Sequence, residues 1–296
     1  IEVSMQTIKS HTDLVTETTA RVAGFTAQAQ EKIQNIQCYI DKAQKFRQNA
    51  SSIRAISDIW KDADISEFIL MCCMMSNKSQ KHLSFQEKEG IVNGAIDFTK
   101  LDQKEYVESL VNRYFLTCGD SLGGSMRNKV GQNAQNILSD AIASSLSHKG
   151  VQCNVHRSTT GKITAIETSN RMYIFDKTPK FIGKSIDIII LKKSTTGGFN
   201  IEDSQSFIAC GELKGGIDPA GADEHWKTAR TALQRVHDTF AAKKLTSPFL
   251  LFVGAAIEAS MAVEIFNLLQ TGWLKAAANL TKPAQLNEFV EIMTSL

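Results

Sequence analysis

At residues 211–227 the sequence reads GELKGGIDPAGADEHWK, which combines the charged end of an apolar strand, a glycine-rich turn and the start of a helix. Glu212 and Lys214 are two positions apart, so in an extended strand their side chains lie on the same face. A third charged residue, Asp187, lies upstream inside another apolar run, SIDIIIL. Two carboxylates and one ammonium group can hold a divalent metal beside a phosphate. The set therefore predicts a Mg²⁺-dependent nuclease.

Each of these residues also has an ordinary structural interpretation when it is taken alone. Asp187 could cap a helix or pair with Lys184. Glu212 and Lys214 could form a pair on the surface of a strand. An acid among β-branched residues is costly to bury unless it is paired or binds a metal. The three residues together, with two glycines directly after Lys214, favour a metal site over these alternatives.

The residue types match what phosphodiester hydrolysis requires. Asp187 and Glu212 provide hard oxygen ligands for Mg²⁺, and the backbone carbonyl of Leu213 is a candidate third protein ligand. The metal would stabilise charge on the scissile phosphate, while Lys214 would orient the attacking water or help to deprotonate it. Asp187, Glu212 and Lys214 are thus the predicted catalytic centre.

A helix begins shortly after the glycines, with acidic residues in its first turn and His225 beside Trp226. Histidine side chains change charge near neutral pH, so a histidine this close in sequence to Lys214 could act as a general base. A histidine that only packs beside Trp226 at the helix start explains the same sequence equally well. His225 is therefore a catalytic candidate with a structural alternative.

Residues 212–227, ELKGGIDPAGADEHWK, and residues 184–187, KSID, resemble the core of the AvaI/BsoBI-type restriction endonucleases within the PD-(D/E)xK nuclease superfamily. The sequence departs from the superfamily pattern at Ile186, where a proline usually precedes the catalytic acid; this departure is common among these nucleases. The resemblance implies the following roles: Asp187 and Glu212 as metal ligands, Lys214 as the catalytic lysine, His225 as the active-site histidine acting as base, and Lys184 and Asp218 at or near the DNA.

Two regions of different periodicity follow from the rest of the sequence. Apolar residues recur at helical spacing through residues 1–120, which lack proline. The repeat is not sustained as heptads, so we expect an all-helical N-terminal domain for DNA clasping or dimerisation rather than a coiled coil. Residues 121–296 contain short apolar runs separated by glycine and proline, with helices near 222–243 and 260–270. The predicted strands are residues 151–156, 163–168, 172–175, 185–191, 207–214 and 249–253.

These patterns and the resemblance together predict an α/β fold. The catalytic domain, residues 121–296, would be a PD-(D/E)xK nuclease core with a mixed central sheet flanked by helices. The all-helical domain, residues 1–120, would precede it.

A second glycine-rich segment, CGDSLGGSMRNKVG at residues 118–131, is predicted as a loop that opens a helix running to about residue 149. A helix N-terminus suits phosphate, and arginine and asparagine have the donor geometry to read purine edges. A glycine loop that only joins two domains is the alternative. The candidate DNA-binding residues of this segment are Ser125, Arg127, Asn128 and Lys129.

Composition restricts the class of protein further. Hydrophobic residues make up 43% and charged residues 22% of the 296 residues, which fits a globular protein with a real core. The net charge is only +2, so binding to nucleic acid requires basic residues concentrated on one surface. The six cysteines have no spacing that suits zinc, and no apolar run resembles a membrane span or a signal peptide. We therefore expect reduced cysteines and a cytoplasmic protein without membrane association.

Together these features predict a homodimeric type II restriction endonuclease that cuts double-stranded DNA with Mg²⁺. A dimer is expected because a twofold enzyme reads a palindrome and cuts both strands symmetrically. The resemblance implies a GC-rich palindromic site, and a cognate DNA methyltransferase is expected as a functional rather than a physical partner. A DNA repair or junction-resolving nuclease on the same core is the alternative. A catalytically inactive DNA-binding or assembly module is disfavoured, because the three charged residues are intact.

Overall fold

A mixed sheet of seven strands forms in the described part of the chain, which comprises residues 5–194 and 197–296 of a computed structural model. Neighbouring strands follow chain order: the first five are antiparallel, and the last two continue parallel to the fifth. The strands are β1 (Asn154–Arg157), β2 (Ile163–Glu167), β3 (Arg171–Lys177), β4 (Ile186–Lys192), β5 (Phe207–Lys214), β6 (Phe249–Gly254) and β7 (Ala276–Asn279).

The strands β4 and β5 lie in the interior of this sheet. Most of their side chains are buried on both faces, as expected for apolar strands that are covered on both sides. Their antiparallel register pairs Ile188 with Gly211. The next position along each strand therefore brings Asp187 of β4 beside Glu212 of β5. The change from antiparallel to parallel neighbours occurs at β5.

The described residues also form ten α-helices and short 3₁₀ turns. Local sequence explains several helix starts: Asp62, for example, accepts hydrogen bonds from the backbone N–H groups of Asp64 and Ile65. None of the described helices is both long and apolar enough to cross a membrane. The helices are α1 (His11–Leu14), α2 (Thr18–Asn49), α3 (Ile56–Ile59), α4 (Ala63–Cys72), α5 (Asn77–Gln80), α6 (Phe85–Ala95), α7 (Lys104–His148), α8 (Ala222–Ala242), α9 (Ala259–Gln270) and α10 (Pro283–Ser295).

The chain divides into two compact units. Residues 26–128 form a helical unit with its own apolar core, in which the ring of Phe68 stacks on Phe46 at 4.1 Å and on Tyr114 at 4.3 Å between centroids. The rest of the chain forms the sheet unit, which includes the residues before position 26. The division therefore falls at 25/26 and 128/129, whereas the sequence placed a single boundary at residue 120. Residue 120 lies in the interior of α7.

The predicted loop at residues 118–131 is wrong, because this segment belongs to the interior of the continuous helix α7. Glycine inside a helix costs about 1 kcal/mol relative to alanine, which a long helix tolerates when its other residues favour the helix and pack well. The segment contains no proline and its buried Met126 keeps the helical spacing. Ser125, Arg127, Asn128 and Lys129 therefore lie along a helix and not at a helix N-terminus.

A buried polar network ties the N-terminal segment to the last strands. Thr16 is 1% exposed; its hydroxyl donates to the carbonyl of Ala255 and accepts from the backbone N–H of Ile257, both at 2.8 Å. The side-chain amide of Asn279, at the end of β7, also donates to the Thr16 hydroxyl at 2.8 Å. Because every polar group here has a partner, the segment before α2 is held firmly against the sheet.

The mixed sheet with flanking helices confirms the predicted fold class. The predicted runs from 151–156 to 249–253 correspond to β1–β6, and the predicted helices correspond to α8 and α9. Sequence analysis missed β7 and α10. Strand β7 reads AAAN, and alanine has little intrinsic preference for a strand, so only its pairing with β6 reveals it.

Candidate active site

Two adjacent strands bring the predicted carboxylates and lysine together. Asp187 lies on β4, and Glu212 and Lys214 lie near the carboxyl end of β5. The Lys214 ammonium donates a hydrogen bond to Asp187 Oδ2 at 3.0 Å and another to Glu212 Oε2 at 2.7 Å. Two carboxylates from different strands therefore converge on one cationic atom.

The backbone of β5 helps to fix Asp187. The N–H of Leu213 donates to Asp187 Oδ2 at 2.9 Å, so the same oxygen accepts from Leu213 and from Lys214. These two hydrogen bonds orient the carboxylate towards β5. The predicted use of the Leu213 carbonyl as a metal ligand stays a prediction.

Burial gives the two carboxylates different properties. Glu212 is 4% exposed, whereas 31% of the Asp187 side chain is exposed. Burial and the nearby charge of Asp187 raise the pKa of Glu212 to about 7, against the opposing effect of Lys214. Burial alone would lower the pKa of Lys214, but the charges of Asp187 and Glu212 outweigh it, and the Lys214 pKa lies above its usual value. Lys214 is therefore an ammonium ion at neutral pH.

The donor set fits a hard divalent cation such as Mg²⁺. This ion takes oxygen ligands and is usually held by one or two carboxylates together with water and substrate phosphate. Asp187 and Glu212 supply two carboxylates, and the Lys214 ammonium marks where their oxygens converge. Within residues 5–194 and 197–296, no group of three or more His, Cys, Asp or Glu side chains could hold a metal. Further ligands would therefore come from the backbone, water and phosphate.

A short loop connects β5 to α8, and hydrogen bonds hold both ends of this loop. The carbonyl of Lys214 accepts a hydrogen bond from the N–H of Ala255 at 2.8 Å. The carboxylate of Asp218 accepts from the N–H of Ala220 at 2.9 Å, which stabilises the turn before the helix. The loop between Lys214 and Asp218 therefore has little freedom to move.

His225 lies in the first turn of α8, where its imidazole is exposed. A Cβ built on Gly216 would lie 3.1 Å from His225 Cε1, so the ring rests against the loop that follows β5. The neighbouring Trp226 is buried, contacts the ring of Phe252 edge-on at 4.8 Å, and donates its indole N–H to Glu264 of α9. These contacts of Trp226 fix the rotation of α8 and thereby the direction of His225.

The predicted DNA-binding residues form two groups. Lys184 and Asp218 are exposed, one in the turn before β4 and the other in the turn after β5. The other group lies on α7, and there the hydroxyl of Ser125 donates to the carbonyl of Leu122 at 3.0 Å. Contact with DNA stays a prediction for both groups. The exposed α7 residues are Ser125, Arg127, Asn128 and Lys129.

Sequence analysis missed one acidic residue beside this site. Asp176 lies on β3 directly across from Asp187. Its φ of 54° is in the left-handed region, which aspartate tolerates better than most residues. Its carboxylate accepts from the hydroxyl of Ser185 at 3.0 Å and pairs with Lys162 at 3.5 Å. Asp187 was identified as an acid inside an apolar run, and Asp176, which directly follows the apolar run MYIF, gives a similar signal.

A mixed sheet that carries an aspartate on one strand and Glu-x-Lys at the end of the next defines a nuclease core of the restriction endonuclease class. Comparison of the whole sequence with known families agrees with this class. The chain belongs to the family described as restriction endonuclease BsobI, whose model matches residues 5–296. The predicted family is therefore confirmed.

Named relatives cover nearly the whole chain. It is 37% identical to the type II restriction enzyme AvaI of Nostoc sp. and to that of Anabaena variabilis, over 300 residues, or 94% of this chain and 95% of each relative. It is 36% identical to the type II restriction enzyme BsoBI of Geobacillus stearothermophilus over 304 residues, or 94% of both chains. The similarity therefore includes both compact units.

Proposed function

We propose that this protein, a type II restriction endonuclease by family, hydrolyses double-stranded DNA with Mg²⁺ at Asp187, Glu212 and Lys214. Type II restriction endonucleases are site-specific deoxyribonucleases and are generally metal-dependent. The observation that carries the assignment of the site is the convergence of Asp187 and Glu212 on the Lys214 ammonium. A surface ion pair would not require a carboxylate as deeply buried as Glu212.

Each side chain has a distinct part in hydrolysis. Asp187 and Glu212 would hold Mg²⁺, which when bound stabilises the negative charge that develops on the scissile phosphate. In the reaction, a water oxygen forms a bond to phosphorus, the bond from phosphorus to the leaving sugar oxygen breaks, and the water loses a proton. Lys214, already an ammonium ion, would donate a hydrogen bond to a phosphate oxygen and offset its charge.

The proton of the attacking water needs an acceptor. Without metal, the nearby charges of Asp187 and Glu212 raise the pKa of Lys214, which makes this ammonium group a poor proton acceptor. A neutral imidazole has a free acceptor nitrogen, and His225 is exposed against the loop that follows Lys214. We therefore assign His225 as the general base.

Recognition of a specific DNA sequence would require residues outside the catalytic centre. We propose that Lys184 and Asp218, which flank the catalytic strands, lie at the DNA, and that the exposed side chains on α7 contact phosphates. A homodimer would present two such sites to a palindromic, GC-rich sequence. The helical unit would clasp the DNA or contribute to the dimer. A cognate DNA methyltransferase would protect the same sequence in the cytoplasm without binding this protein.

Digestion of a mapped phage DNA tests the proposal directly. With Mg²⁺ we expect a small set of discrete fragments whose sequenced ends share one palindrome. With Ca²⁺ we expect sequence-specific binding without cleavage, because the larger ion has a looser coordination shell and positions water poorly. Cleavage that persists in EDTA would exclude the metal mechanism.

The pattern of cleavage separates this function from the repair or junction-resolving alternative. A sequence-specific endonuclease binds its own site roughly 10³-fold or more tighter than random duplex DNA. Its affinity falls steeply as the salt concentration increases. A ladder of unrelated cut sites, or cleavage only at branched DNA, would favour the alternative.

A further inference from the structure

The loop that follows the catalytic lysine has unusually close contact with α7. A Cβ built on Gly215 would lie 2.5 Å from the Cβ of Ala134 and 2.8 Å from the carbonyl oxygen of Val130. Real Cβ atoms do not approach other atoms so closely, so any side chain here would force the helix and the loop apart. Gly215 is therefore the residue that lets α7 lie directly against the end of β5.

A second helix contacts the same loop two residues further on. A Cβ built on Gly24 of α2 would lie 2.8 Å from Cγ1 and 3.0 Å from Cγ2 of Ile217. Ile217 is 5% exposed, so its side chain has little free space into which it could move. Residues 215–217 therefore contact both helices closely. Gly215 of the loop contacts α7, and Gly24 of α2 contacts Ile217 of the loop.

This loop connects the two groups that would act on the water and the phosphate. Lys214 immediately precedes it, and the ring of His225 rests on Gly216 in its middle. A displacement of the loop would therefore move Lys214 and His225 relative to the backbone of Asp187, which belongs to β4. A misplacement of about 1 Å in a catalytic group is enough to cost roughly 10²-fold in rate.

The same two helices carry the chain between the compact units. The chain leaves the sheet unit after residue 25, within α2, and returns after residue 128, within α7. Gly24 and Val130 thus lie within two residues of these crossings. The contacts with the loop occur where each helix enters or leaves the sheet unit.

We propose that Gly24 and Gly215 are positioning residues, through which α2 and α7 hold the loop 215–217 and set the placement of Lys214 and His225. The inference rests on the proposed nuclease function, since it concerns the rate of that reaction. Neither glycine is itself a proposed metal ligand or DNA-binding residue. Their loss should therefore lower the cleavage rate and leave metal-supported DNA binding unchanged.

The test compares Gly215→Ala with Gly131→Ala. Gly131 lies on α7 next to Val130, and a Cβ there meets no atom within 4 Å, so this control adds the same methyl group without a clash. We expect Gly215→Ala to lose about 10²-fold in single-turnover cleavage, measured well below the melting temperature of each variant. Gly131→Ala should cleave at the wild-type rate. Binding of specific DNA in Ca²⁺ should be the same in all three proteins.

A second substitution tests whether the close contact itself is responsible. Ala134→Gly removes the Cβ that lies 2.5 Å from the added methyl group, so the Gly215→Ala/Ala134→Gly variant should regain part of the lost rate. Should Gly215→Ala fail to fold, Gly24→Ala allows the same comparison, because its clash is with a side chain and not with backbone. We expect Gly24→Ala to lose about tenfold, for the same displacement at a smaller amplitude.

Asp187→Asn, measured alongside, separates the two hypotheses. If Asp187→Asn is inactive while both glycine variants cleave at the wild-type rate, the positioning role is wrong and the nuclease site stands. If Ca²⁺-supported binding falls together with the rate and Ala134→Gly restores neither, the glycines serve packing only and the positioning role is also overturned. Wild-type cleavage by Asp187→Asn would overturn both proposals.

Discussion

Residues 211–227 and residues 118–131 are both glycine-rich segments with charged side chains, yet glycine serves different purposes in them. A side chain on Gly215 would collide with helix α7, and one on Gly216 would be in tight contact with the ring of His225. Gly119, Gly123 and Gly131 lie inside α7, and a Cβ on any of them would meet no atom within 4 Å. Glycine therefore marks close approach in the first segment and is merely tolerated in the second.

The hydrogen bonds of the two segments also differ. Glu212 and Lys214 are held by hydrogen bonds to each other and by the Asp187 carboxylate of the neighbouring strand. On α7, the hydroxyl of Ser125 donates a hydrogen bond within its own helix, to the carbonyl of Leu122. The first segment is thus organised by the fold before any ligand arrives.

The largest difference in cleavage rate is expected between two substitutions of aspartate by asparagine. One is at Asp187, on the strand that pairs with β5, and the other is at Asp120, in the glycine-rich part of α7. Asp187→Asn keeps the volume of the side chain and removes the charge that would hold the metal, so single-turnover cleavage should fall by roughly 10²–10⁴ or more. Asp120→Asn, the matched change on the exposed face of α7, should cleave like the wild type. Circular dichroism should show both variants folded. Equal rates in the two variants would erase the contrast.

The next effect concerns the histidine that rests on the first segment. If His225 accepts the proton from the attacking water, His225→Ala should lose roughly 10²–10⁴ in single-turnover rate, the usual contribution of a general base. Binding in Ca²⁺ should be unchanged. His237→Ala removes another partly exposed histidine from α8 and should keep the rate. A near-wild-type rate for folded His225→Ala would remove His225 from the mechanism.

A third effect is the pH dependence of stability that Glu212, in residues 211–227, gives the metal-free protein. The pKa of Glu212 is raised to about 7 from an unfolded value near 4.5, so the unfolded state releases this proton first as pH rises. The contribution to stability is therefore full below pH 4.5 and is lost as pH rises through about 7. In EDTA, the free energy of unfolding should fall by on the order of 1–3 kcal/mol between pH 4.5 and pH 8 from this group.

Denaturant unfolding of the wild type and of Glu212→Gln across that pH range isolates the contribution. Glutamine cannot titrate, so the difference between the two proteins should grow in favour of Glu212→Gln as pH rises. If the difference in the free energy of unfolding between the two proteins does not change with pH, burial does not raise the pKa of Glu212 in the folded protein.

The smallest effect tests whether residues 118–131 are helical. Gly123→Ala should raise the free energy of unfolding by about 0.5–1 kcal/mol, because alanine favours a helix and no atom lies in its way. Gly215→Ala, in the other segment, should lower it, since its methyl group would clash with Ala134 and with the backbone of Val130. Stabilisation by Gly215→Ala, or destabilisation by Gly123→Ala, would reverse the interpretation of the two segments.

Patterns within short stretches of sequence predicted β4, β5 and α8 correctly. The apolar runs of β4 and β5 and the amphipathic spacing of α8 identified those elements, and the Glu-x-Lys spacing identified a shared face. The pairing of Asp187 with Glu212 depends on strand register, and the motif alone suggested it. Register itself cannot be read from composition.

Features that depend on distant contacts were not predictable in this way. The inclusion of residues before position 26 in the sheet unit rests on bonds from Thr16 to Ala255 and Asn279, which no local pattern indicates. The continuity of α7 through four glycines runs against their low helix propensity. The left-handed backbone of Asp176 is likewise visible only in three dimensions.

The bond between Thr16 and Asn279 also constrains how the chain is made. These residues are 263 positions apart, so on the ribosome Thr16 emerges long before Asn279 can bond to it. The helical unit, whose residues 26–128 are contiguous, can fold during that interval. The sheet unit closes afterwards, once β7 has emerged. Contacts of such long range make the final step slow, and nascent chains that stop before β7 should carry a folded helical unit beside an unfinished sheet.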